Sequence, residues 1–333
     1  MFRVVHLGPS RSRGGMSTVI RNLHQNPPNG WSSSTINTHE DSFIGMLAKW
    51  FRSGRILEQM IREGEVDIAH IHVTHSLSWI RKRSLMRKCE KMGIPTVIHI
   101  HSGKFDRFCT GWFGSSVKKE LLVENRATIV LEERWKKLLK EWLPDSTFVV
   151  YNPSNAIGDR RNHELLTKVK LLLLSRKSEI KGHDFSIGII EELHRMGINA
   201  SLTMTGTTSG SSKEFPDLEI NCLGWVSDDE KKKLIEESDF LISPSEYEGS
   251  SMSVIEAMVS GLPCVVSETS RETVGVPELV VGNDKKAWAE KIIEISNSEK
   301  YSDIVERIRI NSRVYSIERC RVSLGEIYES LIV

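Results

Sequence analysis

Twice along this chain, short apolar runs of strand length alternate with helix-patterned segments, and that alternation constrains the fold more than any other feature. In the first series FRVVHL (2–7), VDIAHIHV (66–73), PTVIHIH (95–101), ATIVL (127–131) and TFVVY (147–151) read as strands. Helical patterns run from Gly15 to about Leu23, up to about Met92, and over EERWKKLLKEW (132–142). The stretch between Trp31 and Asp67 leaves room for little more than one strand and one helix. A second series begins at VKLLLLS (169–175) and continues through a helix from His183 to Arg195, ASLTMTG (200–206), EINCLGW (219–225), a helix over 228–238, DFLISPS (239–245), a helix over 253–261 and PCVVS (263–267). Strands separated by helices predict parallel sheets covered on both faces, an α/β class of Rossmann-like type.

The stretch NPSNAIGDRRNHELL (152–166), rich in Asn, Pro, Gly and charge, separates the two series. With 333 residues there is material for two cores, so the expected domains are 1–155 and 156–315. The tail from about Asp284 reads as helical with breaks near Asn297 and Tyr315, and its last helix, about 316–333, is expected to pack back on the first domain.

Net charge is +1, but residues 1–155 hold 23 Lys and Arg against 14 Asp and Glu, while the remainder holds 22 against 30. A nucleic-acid binder is usually basic throughout; a basic front half suits an anionic membrane surface or a phosphorylated acceptor, or is solvated charge with no partner. The five cysteines are scattered without a CxxC pair, as in a reducing cytoplasm. No apolar run approaches membrane-spanning length, and the N-terminus lacks the apolar stretch of a signal peptide, so a cytoplasmic protein is expected.

The chemistry concentrates in LISPSEYEGSSMSVIEAMVSGLPCVVS (241–267), a strand, a turn with Glu248 and Gly249, and a helix starting near Ser250 to Met252. Free amides at a helix N-terminus beyond a strand's carboxyl end suit a phosphate, and Gly249 permits close backbone approach. Glu248 and Glu256 lie about two helical turns apart, too far to share a proton, so each is expected to accept hydroxyl hydrogen bonds at a different point of an extended ligand. A capping carboxylate and a surface Glu are the plain alternative.

This segment resembles glycosyltransferase family 4, whose pattern is a Glu, seven residues and a second Glu within PS..EG....IEAM..G.P.V. The resemblance implies a GT-B fold, two Rossmann-like parallel-sheet domains facing a central cleft, and sugar transfer with retention from a nucleotide-diphosphate sugar. It places Glu248 on the donor sugar, Glu256 on the ribose, and Gly249, Ser250, Ser251, Met252 and Ser253 at the donor. LLLLSRKSEIKGHD (171–184) resembles the family's strand, Arg, four residues and Lys-Gly, so Arg176 and Lys181 take its two cationic positions. Cations aimed at a departing diphosphate stabilise the transition state without a divalent ion, so no metal and no cofactor are expected. Gly14 and Gly15 match the family's first loop, and Gly224 and Val226 match a stretch beside the nucleobase; Trp225 between them fits core equally well. The loop from Gly8 to Gly15 is neither a Walker nor a dinucleotide loop. Asp228-Asp229 lacks the DxD spacing of a metal clamp and reads as a helix start.

His70 and His72 share one strand face, as do His99 and His101, so two HxH pairs could build a zinc site. The family commonly has a His where His101 stands, which assigns His101 to the donor sugar or acceptor and leaves His70 and His72 as structural residues. FIGMLAKWFRSGRIL (43–57) mixes Phe43, Ile44, Leu47, Trp50 and Phe51 with Lys49, Arg52 and Arg55, and six basic residues follow within 79–91. That mixture suits peripheral docking on an anionic membrane near a lipid-linked acceptor, or a helix with one core face and one solvated face. The expected activity is transfer of a hexosyl-type sugar to a glycan or lipid-linked acceptor in surface polysaccharide or glycolipid synthesis. The alternatives are a non-catalytic nucleotide-sugar-binding subunit and a GT-B sugar-nucleotide epimerase. The domain-junction Asn-Gly of the family is Asn152-Pro153 here, and the short front domain leaves the acceptor open.

Overall fold

In a computed structural model, residues 1–40, 42–156, 168–207 and 217–332 are described, so most of the expected linker lies outside the described residues. The chain divides into two compact units, Met1–Pro153 with Ser316–Val333, and Ser154–Tyr315.

Unit 1 alternates β1 (Phe2–Gly8), α1 (Gly15–Gln25), β2 (Trp31–Asn37), α2 (Phe43–Arg62), β3 (Ile68–Val73), α3 (Leu77–Lys91) and β4 (Thr96–Ile100). It continues through α4 (Phe105–Thr110), α5 (Gly114–Leu121), β5 (Arg126–Val130), α6 (Glu133–Leu138) and β6 (Phe148–Val149). Its six strands are all parallel, in the order β2-β1-β3-β4-β5-β6. Every residue of β3, β4 and β5 is buried, as a sheet covered on both faces requires. Period-two alternation sorts the faces: Val5, Leu7, Ala69, Ile71, Ile98 and Ile100 join the core built with Leu57 of α2, Trp79 and Met86 of α3, and Phe105 of α4. His6, His70, His72 and His99 therefore fall on the other face.

Unit 2 contains β7 (Val169–Leu173), α7 (His183–Arg195), β8 (Ala200–Met204), β9 (Glu219–Cys222), α8 (Asp228–Glu237), β10 (Phe240–Ser243), α9 (Met252–Val259) and β11 (Cys264–Val266). A short α10 (Arg271–Val274), α11 (Lys285–Ile295) and α12 (Ser298–Ser312) complete it. Its five strands are parallel in the order β11-β10-β7-β8-β9. Leu171, Leu172, Leu202, Phe240, Leu241, Ile242 and Val265 are buried to 1% exposure or less, and burial of each such side chain contributes roughly 1.5–3 kcal/mol. The final helix, α13 (Ile317–Ile332), belongs to unit 1, where Tyr328 packs against Trp31 with ring centroids 4.9 Å apart.

The sequence pattern did not reveal α4 and α5. FDRFCTGWFGSSVKKEL carries two glycines and is too short for a helical period to emerge, and each helix runs at most eight residues. Gly114 opens α5 where any Cβ would sit 1.9 Å from the Cys109 carbonyl oxygen, so the turn between the helices demands glycine.

Candidate active site

In open parallel sheets the strand order reverses direction at one point, and the crevice beyond the carboxyl ends of the two strands flanking it accepts ligands. In unit 2 those strands are β7 and β10. The loop after β7 carries Arg176 and Lys181; the loop after β10 carries Glu248 and leads into α9.

The two loops are sewn together. The Glu246 amide donates to the Ile180 carbonyl at 2.9 Å, and Lys181 Nζ donates to Glu248 Oε1 at 2.6 Å. Gly182 occupies a left-handed conformation, φ 73°, directly over Pro244; a Cβ there would lie 2.7 Å from Pro244 Cγ and 2.8 Å from its carbonyl oxygen. Only glycine meets both demands. On the other side of the crevice, Ser267 Oγ and Thr269 Oγ1 both donate to the Ser245 carbonyl, at 2.5 and 2.8 Å.

At α9 the N-cap Ser251 makes no side-chain cap and the first turn holds no acidic residue, an arrangement in which helix N–H groups favour an anion. Ser251 and Ser253 share a hydroxyl contact of 3.2 Å, Met252 is buried, and Gly249 is half-buried ahead of them. Three hydroxyls around this crevice, Ser175 Oγ, Ser178 Oγ and Ser250 Oγ, are buried without a hydrogen-bond partner among the described residues. Unpaired buried hydroxyls cost about 1–3 kcal/mol each and are expected where a polar ligand completes them.

Arg176 projects from the same loop as an exposed side chain, its backbone pinned by Gly206. Gly206 also has a left-handed φ of 73°, and a Cβ on it would meet the Ser175 carbonyl at 2.3 Å. The Gly206 amide donates to the Gly224 carbonyl at 3.0 Å, which draws the segment with Gly224 and Val226 to the loop of Arg176. Trp225 is 48% exposed and is not a core residue. Asp228 begins α8 behind Ser227, which forms a capping box with Glu230, so the acidic pair is a helix start.

Glu256 is buried on α9 rather than on the helix surface, and Lys231 Nζ of α8 donates to its Oε1 at 2.9 Å. Lys231 is a partner of Glu256 that sequence reading missed, because it sits inside the run DDEKKKL and charge runs usually read as a solvated face.

Unit 1 places Gly14 at the N-cap of α1 with φ 130° and open space around it, and Gly15 at the first helical position. Its histidines form a network across β1, β3 and β4. His6 Nδ1 lies 3.1 Å from His72 Nε2, and His72 Nδ1 lies 2.9 Å from His101 Nε2. A second row joins Tyr328 Oη to His70 Nδ1 at 2.6 Å and His70 Nε2 to His99 Nδ1 at 3.1 Å. Burial holds all five rings neutral: His6 and His101 fall to about 3, His101 helped by the Lys82 ammonium, and His70, His72 and His99 lie well below the ordinary value, pushed first by desolvation and then by one another. His6, His70 and His72, and again His72, His99 and His101, bring ring nitrogens within 4.8 Å, so either triad has the donor atoms of a metal site. The hydrogen bonds already use His6, His70 and His72, and the nearby Lys82 ammonium repels a cation. His70 and His72 are thus satisfied interior residues, while His101 stands half-buried just past the carboxyl end of β4.

On α2, Ile44 is 81% and Phe51 67% exposed, whereas Trp50 donates its indole N–H to Ser84 Oγ at 2.6 Å. The side chain of Phe43 lies outside what is described. No helix among the described residues is long and apolar enough to cross a membrane.

Comparison with known proteins defines the class. Solved structures that share the arrangement include sucrose-phosphate synthase from Thermosynechococcus elongatus, with a TM-score of 0.77 at 14% identity over 99% of both chains. Anabaena HepE, solved with UDP and glucose, gives 0.73 at 13% identity over 99% of this chain and 100% of that one. The fold is therefore GT-B, two Rossmann-like α/β domains built on parallel sheets. The family model described as Glycosyl transferases group 1 matches residues 168–298, most of unit 2. EpsF of Bacillus subtilis strain 168, named as a glycosyltransferase, is 29% identical over 129 residues, 36% of this chain and 34% of EpsF, so the match spans about a third of that relative's length. A 41.2 kDa protein of the cps region of Klebsiella pneumoniae is 20% identical across 96% of this chain and 94% of its own length. The protein therefore has the GT-B fold, and within unit 2 residues 168–298 are similar to the group 1 glycosyl transferases.

Proposed function

We propose that the chain is a retaining, metal-independent glycosyltransferase that moves a hexosyl-type sugar from a nucleotide-diphosphate sugar to a hydroxyl of a glycan or lipid-linked acceptor in surface polysaccharide synthesis. One observation carries the reading: at the β7/β10 switch point, Lys181 and Glu248 are held 2.6 Å apart beside an uncapped helix N-terminus and three unsatisfied serine hydroxyls. The diphosphate lies on the α9 amides, Arg176 and Lys181 neutralise the charge that grows on it as the sugar leaves, and Glu248 takes donor-sugar hydroxyls. Glu256, oriented by Lys231, takes the ribose, with Gly224 and Val226 beside the base. Gly14, Gly15 and His101 serve the sugar and acceptor from unit 1. The acceptor hydroxyl attacks on the face the diphosphate leaves, and a diphosphate oxygen accepts its proton, so no carboxylate nucleophile is required.

Similarity to EpsF and to the cps-region protein supports a role in polysaccharide assembly. Exposed Ile44, Leu47 and Phe51 on α2, flanked by Arg52 and Arg55, favour a peripheral position on an anionic cytoplasmic membrane surface. The test is a screen of nucleotide sugars for thermal stabilisation, followed by labelled transfer with and without a chelator. Transfer that persists in chelator and is lost in Lys181→Ala supports the proposal; release of free nucleotide without acceptor supports an epimerase instead.

A further inference from the structure

A row of histidine rings crosses unit 1 from β1 through β3 to the end of β4. Register sets His6 directly beside His70 and His72 directly beside His99, yet the nitrogen contacts run on the diagonal, two residues further along each next strand. His6 Nδ1 meets His72 Nε2, and His72 Nδ1 meets His101 Nε2. The His101 amide donates to the Val73 carbonyl at 2.9 Å, and its ring centroid lies 4.2 Å from that of His99 and 5.1 Å from that of His72. His101 is therefore held with Nε2 turned inward, while its Nδ1 has no partner among the described residues. The row from Tyr328 through His70 differs: it stops at His99 Nε2, which is buried and unpaired. Of the two rows, only the first reaches a ring that is open to a ligand.

Counting hydrogens couples the three rings. A neutral imidazole has one N–H and one bare nitrogen, and each N···N contact holds one hydrogen. Where rings are joined Nδ1 to Nε2, the choice at one ring fixes the others: all three carry hydrogen on Nδ1, or all three carry it on Nε2. A mixed row leaves some contact with two hydrogens or with none. All three are neutral, since burial drives His6 and His101 down to about 3 and His72 well below its ordinary value. Neutral imidazole intrinsically favours hydrogen on Nε2, and in a linked row that preference counts once per ring, so the row holds it more firmly than a lone ring does. Lys82 anchors the middle of the row by donating to the His72 carbonyl.

We propose that His6 and His72 are positioning residues that hold His101 with its hydrogen on Nε2, so that Nδ1 presents a bare lone pair to a hydroxyl of the donor sugar or acceptor. The inference rests on the functional reading that places His101 at the sugar and acceptor, and it specifies what His101 does there: it accepts a hydrogen bond from a hydroxyl and stays neutral. His6, buried and two rings away, controls that polarity without touching the ligand.

The experiment records long-range proton–nitrogen spectra of the whole chain, labelled with nitrogen-15 in its histidine rings, at neutral pH and without substrate. Nitrogen shifts separate N–H from bare nitrogen, and single replacements assign each ring. The expected result is hydrogen on Nε2 and bare Nδ1 at His6, His72 and His101 alike. His6→Phe keeps a ring but removes the acceptor at the far end; the His101 signals should then move toward a mixture of tautomers, and kcat/KM for transfer should fall about three- to tenfold, the worth of one hydrogen bond. His6→Gln, whose carboxamide oxygen can accept from His72, should restore both. A merely structural His6 would change stability and leave the His101 nitrogen shifts unmoved, and that outcome overturns the proposal. So does a parent chain with hydrogen on His101 Nδ1 or with mixed tautomers along the row, a result that requires no variant to fold. A shared tautomer that responds to His6→Phe in a chain that transfers no sugar refutes the functional reading and leaves the coupling of the rings standing.

Discussion

Mild acid should unfold unit 1 through its interior histidines. An unfolded histidine titrates near 6.5, whereas His6 and His101 in the fold titrate at about 3. Between those values the unfolded chain binds more protons than the native one, so stability falls as pH falls from about 7 toward 3, and no such loss occurs above the unfolded value. For a group shifted from 6.5 to about 3, lowering the pH from 7 to 5 costs about 2 kcal/mol. His6 and His101 together cost about 4 kcal/mol, and His70, His72 and His99, which burial also holds well below the ordinary value, act in the same direction. A domain typically has about 5–15 kcal/mol in hand, so unit 1 is expected to lose a large share of its stability by pH 5. Hydrogen exchange at the β3 amides, converted to opening free energies at the two pH values, reports this unit separately from the other. His6→Gln should reduce the pH-dependent loss by about 2 kcal/mol whatever it does to absolute stability. A loss below about 2 kcal/mol for the parent chain would refute the assignment of neutral, water-excluded rings.

Other expectations concern the crevice of unit 2 and the surface of α2. Lys181→Ala and Glu248→Ala should each lower turnover at least about tenfold with circular dichroism unchanged, as their proposed place at the reacting end of the donor requires. Gly206→Ala places a Cβ 2.3 Å from the Ser175 carbonyl at positive φ; it should destabilise by about 1–2 kcal/mol or more by denaturant titration and lower turnover by displacing Arg176. Glu256→Gln should raise the KM for the donor more than it lowers kcat in steady-state assays, as its proposed contact with the ribose rather than the reacting carbon requires. Phe51→Glu should reduce co-sedimentation with phosphatidylglycerol vesicles while leaving hydrogen exchange in the β-sheet unchanged, because Phe51 is 67% exposed.

Much of this architecture was legible because periodicity and chemistry agreed. VDIAHIHV and PTVIHIH advertise two strands, and their spacing puts each histidine pair on one face. Which nitrogen meets which was not legible, since that depends on register: His6 stands beside His70, and His72 beside His99, only because β1, β3 and β4 pair as they do. The donor crevice shows the same division. Residue types in 171–184 and 241–267 pointed to phosphate and sugar chemistry, but contact between Lys181 and Glu248, separated by 67 residues, follows from β7 and β10 being sheet neighbours. Lys231 was hidden because its value lies in reaching a buried carboxylate on another helix, and nothing local distinguishes it from Lys232 or Lys233, which pair with exposed Glu236 and Glu237 one helical turn away.

The same contrast between matched and unmatched charge separates scaffold from site. Surface cations here meet carboxylates a turn away, and such pairs are worth little, with a median of about 0–1 kcal/mol. Glu120, buried and clamped by Arg83 and Arg87, and Glu256, buried and met by Lys231, are satisfied inside the protein. A buried polar group without a partner costs about 1–3 kcal/mol, so it persists where something outside the chain completes it. The uncapped α9 with its orphaned serines fits that description. It lies at the carboxyl ends of β7 and β10, the strands that flank the reversal of sheet order in unit 2. An open polar point at that place in the sheet is where the diphosphate of the proposed donor would be completed by the protein rather than by water.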